Sequence, residues 1–391
     1  MTDEILIILT LSTIIVTSPF ISRLLKIPTT PVEIILGSLA GYVGFLHHLH
    51  LFEVIAEFGF LYLMFLAGTE VNFKKVLKTP TNLIRRALLY MGVLYFLSFV
   101  ATIYLDLSNI FILIMPLVSI GLVAALAKEH GSDLPWIELS IVVGSIGEVI
   151  SIAVLTIASA AFEFGLDTQL FLKIFYLILF IVMMLTIFRM LRILFWWYPE
   201  LRTLLMPYAD NLEQDIRLSL SIFFVLVAAM LYLDLELAFG AFIAGIFVPT
   251  FFEHKEQLPH KLSSYGFGFL VPIFFIYIGS TFELPSLFID GLVLKALLIT
   301  ALMITIRLIG SLAFHSFISF KAQMLFGLSH SMPLTLLIAV ATLAYHEKSI
   351  DQFHYYAFIL ASLFEVIITM MSIKAIVSPP IFLKKLFSNK N

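Results

Sequence analysis

The sequence predicts an all-α polytopic membrane protein of about thirteen transmembrane helices, arranged as two inverted five-helix repeats whose broken helices cross. Three observations predict it. The 391 residues are 61% hydrophobic and only 13% charged, whereas soluble domains run nearer about one quarter charged. Apolar runs of about 17–25 residues, the length that crosses a bilayer, fill nearly the whole chain. Motifs built on rare residues also recur at a nearly constant offset.

The apolar runs lie at roughly 4–22, 29–46, 51–70, 84–105, 109–127, 136–160, 169–190, 216–233, 236–252, 265–281, 289–317, 322–345 and 354–378. Asp3 and Glu4 stand where a signal peptide would carry basic residues, so the first run reads as a retained span. Only Asp234 and Glu236 divide the eighth run from the ninth. The longest connection, about 190–216, holds Trp196, Trp197, Tyr198 and several Arg, a mixture suited to a membrane interface. Odd-numbered connections and the tail carry 19 of the 23 Lys and Arg. The basic side marks the cytoplasm, which places the N-terminus outside and the C-terminus inside. The expected organisation is a single membrane domain over 1–391. It comprises a first repeat at 29–160, a linker with connecting helices at 161–235, a second repeat at 236–378 and a short cytoplasmic tail at 379–391, with no soluble regulatory domain attached.

The repeat rests on rare residues. Ser145-Ile146-Gly147-Glu148-Val149-Ile150 matches Ser362-Leu363-Phe364-Glu365-Val366-Ile367, and 365 − 148 = 217. Met115-Pro116-Leu117 matches Met332-Pro333-Leu334, and 333 − 116 = 217 again. Earlier in each half, Glu33-x3-Gly37 matches Glu236-x3-Gly240 at offset 203, and Phe58-Gly59-Phe60-Leu61 matches Phe267-Gly268-Phe269-Leu270 at offset 209. Spans two to six thus return as spans nine to thirteen. An odd number of spans per unit inverts the second relative to the first, a common architecture of secondary transporters, which bind cargo near the midplane where discontinuous helices meet.

Pro116, followed by Ser119 and Gly121, breaks span five. Ser331 and Pro333, with Gly327, Ser329, His330 and Thr335 around them, break span twelve. Proline removes a backbone donor inside a helix, and freed carbonyls survive at membrane depth only beside protein or water. The plainer alternative is a pair of simple proline kinks.

Glu148 leads the candidates for chemistry. A carboxylate at that depth costs at least about a few kcal/mol, and it can hold a proton there until a cation or water arrives. Ser119 and Ser145 are the hydroxyls expected to share its proton and cation site, and the alternative is a structural Glu paired with such a group. Arg307 is the one basic residue in mid-span, so it needs an acidic partner, Glu148 or Glu365. Glu365 divides between a structural partner and a second titrating site. Its pairing with Arg307 is favoured, because Glu365 otherwise has no partner at depth. Glu33, Glu70 and Glu236 lie toward span ends and read as interface or packing residues. His47, His48, His50 and Glu53 sit in a short loop and read as solvated, not as a metal site. No Cys is present, and no phosphate loop, HExxH or Ser-His-Asp set appears. No cofactor, no metal and no enzymatic activity is expected, and the net charge of −3 argues against nucleic acid.

Leu61-Tyr62-Leu63-Met64-Phe65-Leu66-Ala67-Gly68-Thr69-Glu70, the segment Leu235–Gly245 and Pro272-Ile273-Phe274-Phe275-Ile276-Tyr277-Ile278-Gly279 resemble, in order and over nearly the whole chain, the second group of bacterial monovalent cation:proton antiporters, relatives of glutathione-gated potassium-efflux proteins. The resemblance implies thirteen helices, a homodimer, and a dimerisation part beside an ion-transporting core of spans four to six and eleven to thirteen. It also implies that the family's ion-binding carboxylate falls on Glu148 and its basic residue on Arg307. Two departures stand out. The family usually has Asp preceded by Asp, Asn or Gln where this chain has Gly147-Glu148, and a Gly-Glu-Phe segment frequent in the potassium-efflux relatives is replaced by Ser331-Met332-Pro333. The expected function is therefore exchange of Na+ or K+ for protons by alternating access across the inner (plasma) membrane. The competing expectation is a proton-coupled organic anion carrier holding its cargo with Arg307 and the helix N-termini at the crossing.

Overall fold

The computed structural model describes residues 2–25, 27–47, 49–71, 79–131, 133–164, 168–205, 207, 212–252, 255 and 257–377. The expected tail at 379–391, His48, and the basic residues Lys26, Lys74, Lys75, Lys78, Lys384, Lys385 and Lys390 lie outside them. Among the described residues every regular element is helical. They are α1 (Thr2–Leu25), α2 (Thr29–Val43), α3 (His50–Glu70), α4 (Thr81–Tyr104), α5 (Ile110–Ile114), α6 (Gly121–His130), α7 (Pro135–Phe164), α8 (Thr168–Trp197), α9 (Pro199–Leu205), α10 (Gln214–Leu233), α11 (Leu237–Phe251), α12 (Leu258–Tyr265), α13 (Val271–Thr281), α14 (Leu292–Gly310), α15 (Phe320–His330), α16 (Leu334–His346) and α17 (Gln352–Val377).

Among the described residues ten segments are long and apolar enough to cross a membrane, so the chain is a multi-pass membrane protein. Three expected spans are shorter. Helices α2 and α11 have 15 residues each, about 22 Å at 1.5 Å per residue against a hydrocarbon core of about 30 Å. The fifth span is broken into α5 and α6. The expected 190–216 connection is also reshaped. Helix α8 runs on to Trp197, because Met190 to Trp197 offers the ladder neither Gly nor Pro. Trp196 and Trp197 are thus the exposed end of a helix rather than loop residues.

The chain divides into two compact units, residues 1–77 with 152–286 and residues 78–151 with 287–391. In the first, α3 packs on α11 and α2 on α13. Both contacts have the same reciprocal geometry. A Cβ on Gly68 would overlap the Phe242 carbonyl, and one on Gly245 would overlap that of Phe65. A Cβ on Gly37 would overlap the Ile276 carbonyl, and one on Gly279 that of Ile34. Each glycine meets the carbonyl three residues before its partner glycine, so backbone lies on backbone as small residues allow in membrane helices. This geometry matches Gly37 with Gly245, five residues beyond the Gly240 that the sequence alignment pairs with it. Gly240 packs instead on Leu226 and Met230 of α10.

Between α12 and α13 the ladder widens into a π turn at Gly266–Leu270. Pro272 supplies no N–H and its ring crowds the carbonyl four residues back, so the wider turn lets the helix continue. The division between spans eight and nine falls at a turn. Asp234 takes a left-handed conformation (φ 53°) at the end of α10, and Lys173 binds both its carboxylate and its carbonyl.

The second unit holds α4, α5, α6, the first part of α7, and α14 to α17. These are spans four to six and eleven to thirteen, except that α7 is divided after Ser151. Helix α14 packs on α4, α15 and α17. The two broken helices meet half to half: α15 touches α6, and α16 touches α5.

Candidate functional site

All the residues singled out at the breaks lie in the second unit. Between α5 and α6 the chain leaves helical form at 115–120, and between α15 and α16 at 331–333. Pro116 and Pro333 sit inside these interruptions, as expected from the donors they lack. The unwound stretches bring two hydroxyls together, with Ser119 Oγ 3.5 Å from Thr335 Oγ1. Ser119 Oγ also donates to Glu148 Oε1 at 2.9 Å. Glu148 is 2% exposed. A carboxylate, a serine hydroxyl and a threonine hydroxyl therefore converge where the broken helices cross.

Helix α7 presents this carboxylate through close approach to the first break. Gly144, Gly147 and Ser151 recur at helical spacing on one face. A Cβ on Gly147 would lie 3.0 Å from Val118 Cβ, and one on Gly144 would press on Ile120. The missing side chain at position 147, read from sequence as a departure from the usual pair, is a packing requirement here: Val118 and Met91 fill the place a second side chain would take. Ser145, an expected member of the site, donates its hydroxyl to the Ile141 carbonyl of its own helix at 2.7 Å.

Arg307 is fully buried on α14. Nη1 lies 3.4 Å from Glu365 Oε1 and donates to the Met303 carbonyl at 2.9 Å. Nη2 donates to the Leu117 carbonyl at 2.6 Å. The guanidinium thus joins Glu365, 1% exposed on α17, to a carbonyl freed by the first break. Its Nε and Glu365 Oε2 make no hydrogen bond among the described residues. The second break is held differently, by a bond from Thr369 Oγ1 to the Ser331 carbonyl at 3.2 Å, while Ser331 Oγ turns back to the Gly327 carbonyl at 3.0 Å.

His330, flagged in the sequence only for its place beside the break, is fully buried. Nε2 meets the Ser140 carbonyl at 3.0 Å and Nδ1 meets the Tyr90 hydroxyl at 3.1 Å. A carbonyl only accepts, so Nε2 carries a proton, and in the neutral ring Tyr90 donates to Nδ1. Ser140 and Ser329 share a further bond at 2.8 Å. Tyr90 is the residue 217 before Arg307; Arg307 reaches Leu117 inside the first break, and Tyr90 reaches His330 at the end of α15, beside the second. Sequence reasoning missed Ser151 and Ser140, and it marked Tyr90 only as the counterpart of Arg307 at offset 217. The signal available for Ser151 was that it lies a turn past Glu148 on the same helical face.

Comparison with known proteins gives this arrangement a family. Residues 8–378 match the family described as sodium/hydrogen exchanger, transmembrane. The chain is 25% identical over 400 residues to the putative Na(+)/H(+) antiporter YjbQ of Bacillus subtilis (strain 168), which covers 94% of this chain and 60% of that relative's length. It is 26% identical over 294 residues to the probable Na(+)/H(+) antiporter 3 of Methanocaldococcus jannaschii, covering 69% of each. Its fold resembles the structure of the sodium proton antiporter MjNhaP1 from Methanocaldococcus jannaschii at pH 8, with a TM-score of 0.66 at 17% identity over 96% of this chain and 98% of that one. A family match that spans nearly all of the sequence shows that the chain belongs to the sodium/hydrogen exchanger family.

Proposed function

We propose that the protein is a secondary antiporter that exchanges Na+ for protons across a cell's inner (plasma) membrane by alternating access. The observation that carries the reading is the buried Glu148 carboxylate, hydrogen-bonded to Ser119 where the two broken helices cross. Its chemistry suits exchange. In one state Glu148 holds a proton. When Na+ enters, the O–H bond breaks, the proton leaves to water, and the carboxylate takes the cation with Ser119 and Thr335 as neutral oxygen donors. On the other side the steps reverse. A single carboxylate cannot hold both cargoes, so competition alone couples their fluxes. Family membership and the sodium antiporters named among the relatives favour Na+ over K+.

Arg307 is the fixed positive charge in this reading. It bonds the Leu117 carbonyl and Glu365. The two sequence repeats at 29–160 and 236–378, the outside N-terminus and the homodimer complete the proposal, supported by the recurring motifs, the asymmetry of Lys and Arg, and the family resemblance.

The test is proton flux in sealed proteoliposomes carrying an imposed pH difference. Added Na+ should dissipate the gradient in protein-containing vesicles and not in empty ones, and a membrane potential set by an ionophore should hardly change the rate, because one proton moves per cation. Flux elicited only by an organic anion would reject the cation reading. A strong response that depends on the sign of the potential would reject one-for-one exchange.

A further inference from the structure

The peptide unit joining Leu117 to Val118 is gripped at both ends. Its carbonyl accepts from Arg307 Nη2 at 2.6 Å, and its N–H donates to Ser151 Oγ at 3.1 Å. Ser119, the next residue, aims its hydroxyl at Glu148. In this unwound stretch no helical ladder fixes the orientation of the peptide plane, and a rotation there swings the Ser119 Cα–Cβ bond. We infer that Ser151 is a positioning residue for the ion site: with Arg307 it clamps the 117–118 peptide, and so sets where the Ser119 hydroxyl stands relative to Glu148. The inference rests on the proposed role of Glu148 and Ser119.

Several features make Ser151 suited to this. It is fully buried, so water does not compete for its oxygen. It lies three residues after Glu148 on the same helix, which gives carboxylate and clamp one rigid base. The Gly147–Val118 contact brings α7 close enough for a side chain as short as serine to reach the backbone of the break. A buried N–H left without an acceptor carries a penalty, and the chain can relieve it by turning the peptide, which moves Ser119. The second break has its own hydroxyl, Thr369, one turn past Glu365, but this one donates to a carbonyl rather than accepting from an N–H.

The experiment compares Ser151→Ala, Ser151→Cys and Ser151→Thr with Ser98→Ala in proteoliposomes, reading apparent KM for Na+, maximal rate and pH profile. Ser98 is an equally buried hydroxyl of the same unit that bonds to the Leu94 carbonyl of its own helix. Ser151→Ala is expected to raise the apparent KM for Na+ about tenfold, equivalent to about 1.4 kcal/mol, while the maximal rate stays within about twofold. Ser151→Thr, which keeps the acceptor, should restore most of the affinity, Ser151→Cys should fall between, and Ser98→Ala should match wild type. If Ser151→Ala does not fold, the Cys and Thr pair carries the comparison through their ordering. Wild-type KM in Ser151→Ala, or in Cys where Ala is lost, overturns the clamp and leaves the site reading standing. Wild-type exchange by Glu148→Gln removes the site reading itself, whatever Ser151 does.

Discussion

Glu148 and Glu365 stand at matching points of the sequence repeat, both buried and both beside a broken helix. Glu148 meets a serine hydroxyl in the unwound stretch. Glu365 meets a guanidinium that is itself tied to two backbone carbonyls. A carboxylate beside neutral hydroxyls can trade a proton for a cation. A carboxylate against a buried Arg already has its cation, and removing either partner leaves a charge in low dielectric. Two positions 217 residues apart thus carry the same residue in different surroundings. Tyr90, 217 residues before Arg307, reaches His330 without a charge.

This contrast separates loss of transport from loss of stability. The largest effect is expected from Glu148→Gln. The amide keeps the size and the bond with Ser119 but can neither ionise nor release a proton, so exchange should fall by at least about 100-fold while detergent melting stays close to wild type; a folded mutant with near-normal exchange would erase the contrast. Arg307→Ala should do the reverse and act first on folding. Breaking a buried pair costs about 3–5 kcal/mol, so a melting temperature many degrees lower is expected, and Arg307→Ala combined with Glu365→Gln should regain part of the loss. Strict additivity of the two changes would show that the pair is not coupled. Ser119→Ala, which removes a hydrogen bond to a charged group worth about 1.5–3 kcal/mol, should raise the apparent KM for Na+ about tenfold or more with a smaller change in maximal rate. Thr335→Val should have the smallest effect, about two- to threefold on the same KM, because Thr335 is half-buried and stands 3.5 Å from Ser119.

Much of this was legible in the sequence because rare residues carried it. A carboxylate, an arginine and two prolines inside apolar runs violate membrane composition: the prolines marked the two breaks, and the carboxylate and the arginine sit on the unbroken helices α7 and α14 whose side chains reach the first of them. Packing between elements was not legible. A serine in a helix is common, so Ser151 gave no sign that its oxygen holds the amide of Val118. The repeat alignment at Gly37 slipped by five residues, since apolar helices offer many glycine matches and only the crossing against Ile276 and Gly279 fixes the register. The turn of the Ser145 hydroxyl onto Ile141 and the run of α8 through Trp197 are also decided by neighbours and local ladders that composition does not specify.

The central claim, that proton and cation share the Glu148 carboxylate, is tested most directly by the apparent KM for Na+ as a function of pH in proteoliposomes. Competition for one group requires the KM to rise about tenfold for each unit of acidification once the site is mostly protonated, with the maximal rate at saturating Na+ little changed, and Glu148→Asp should keep that slope while moving its onset along the pH axis. A KM for Na+ that stays constant across the acid range, with only the maximal rate falling, would show that protons act elsewhere and would contradict the shared site.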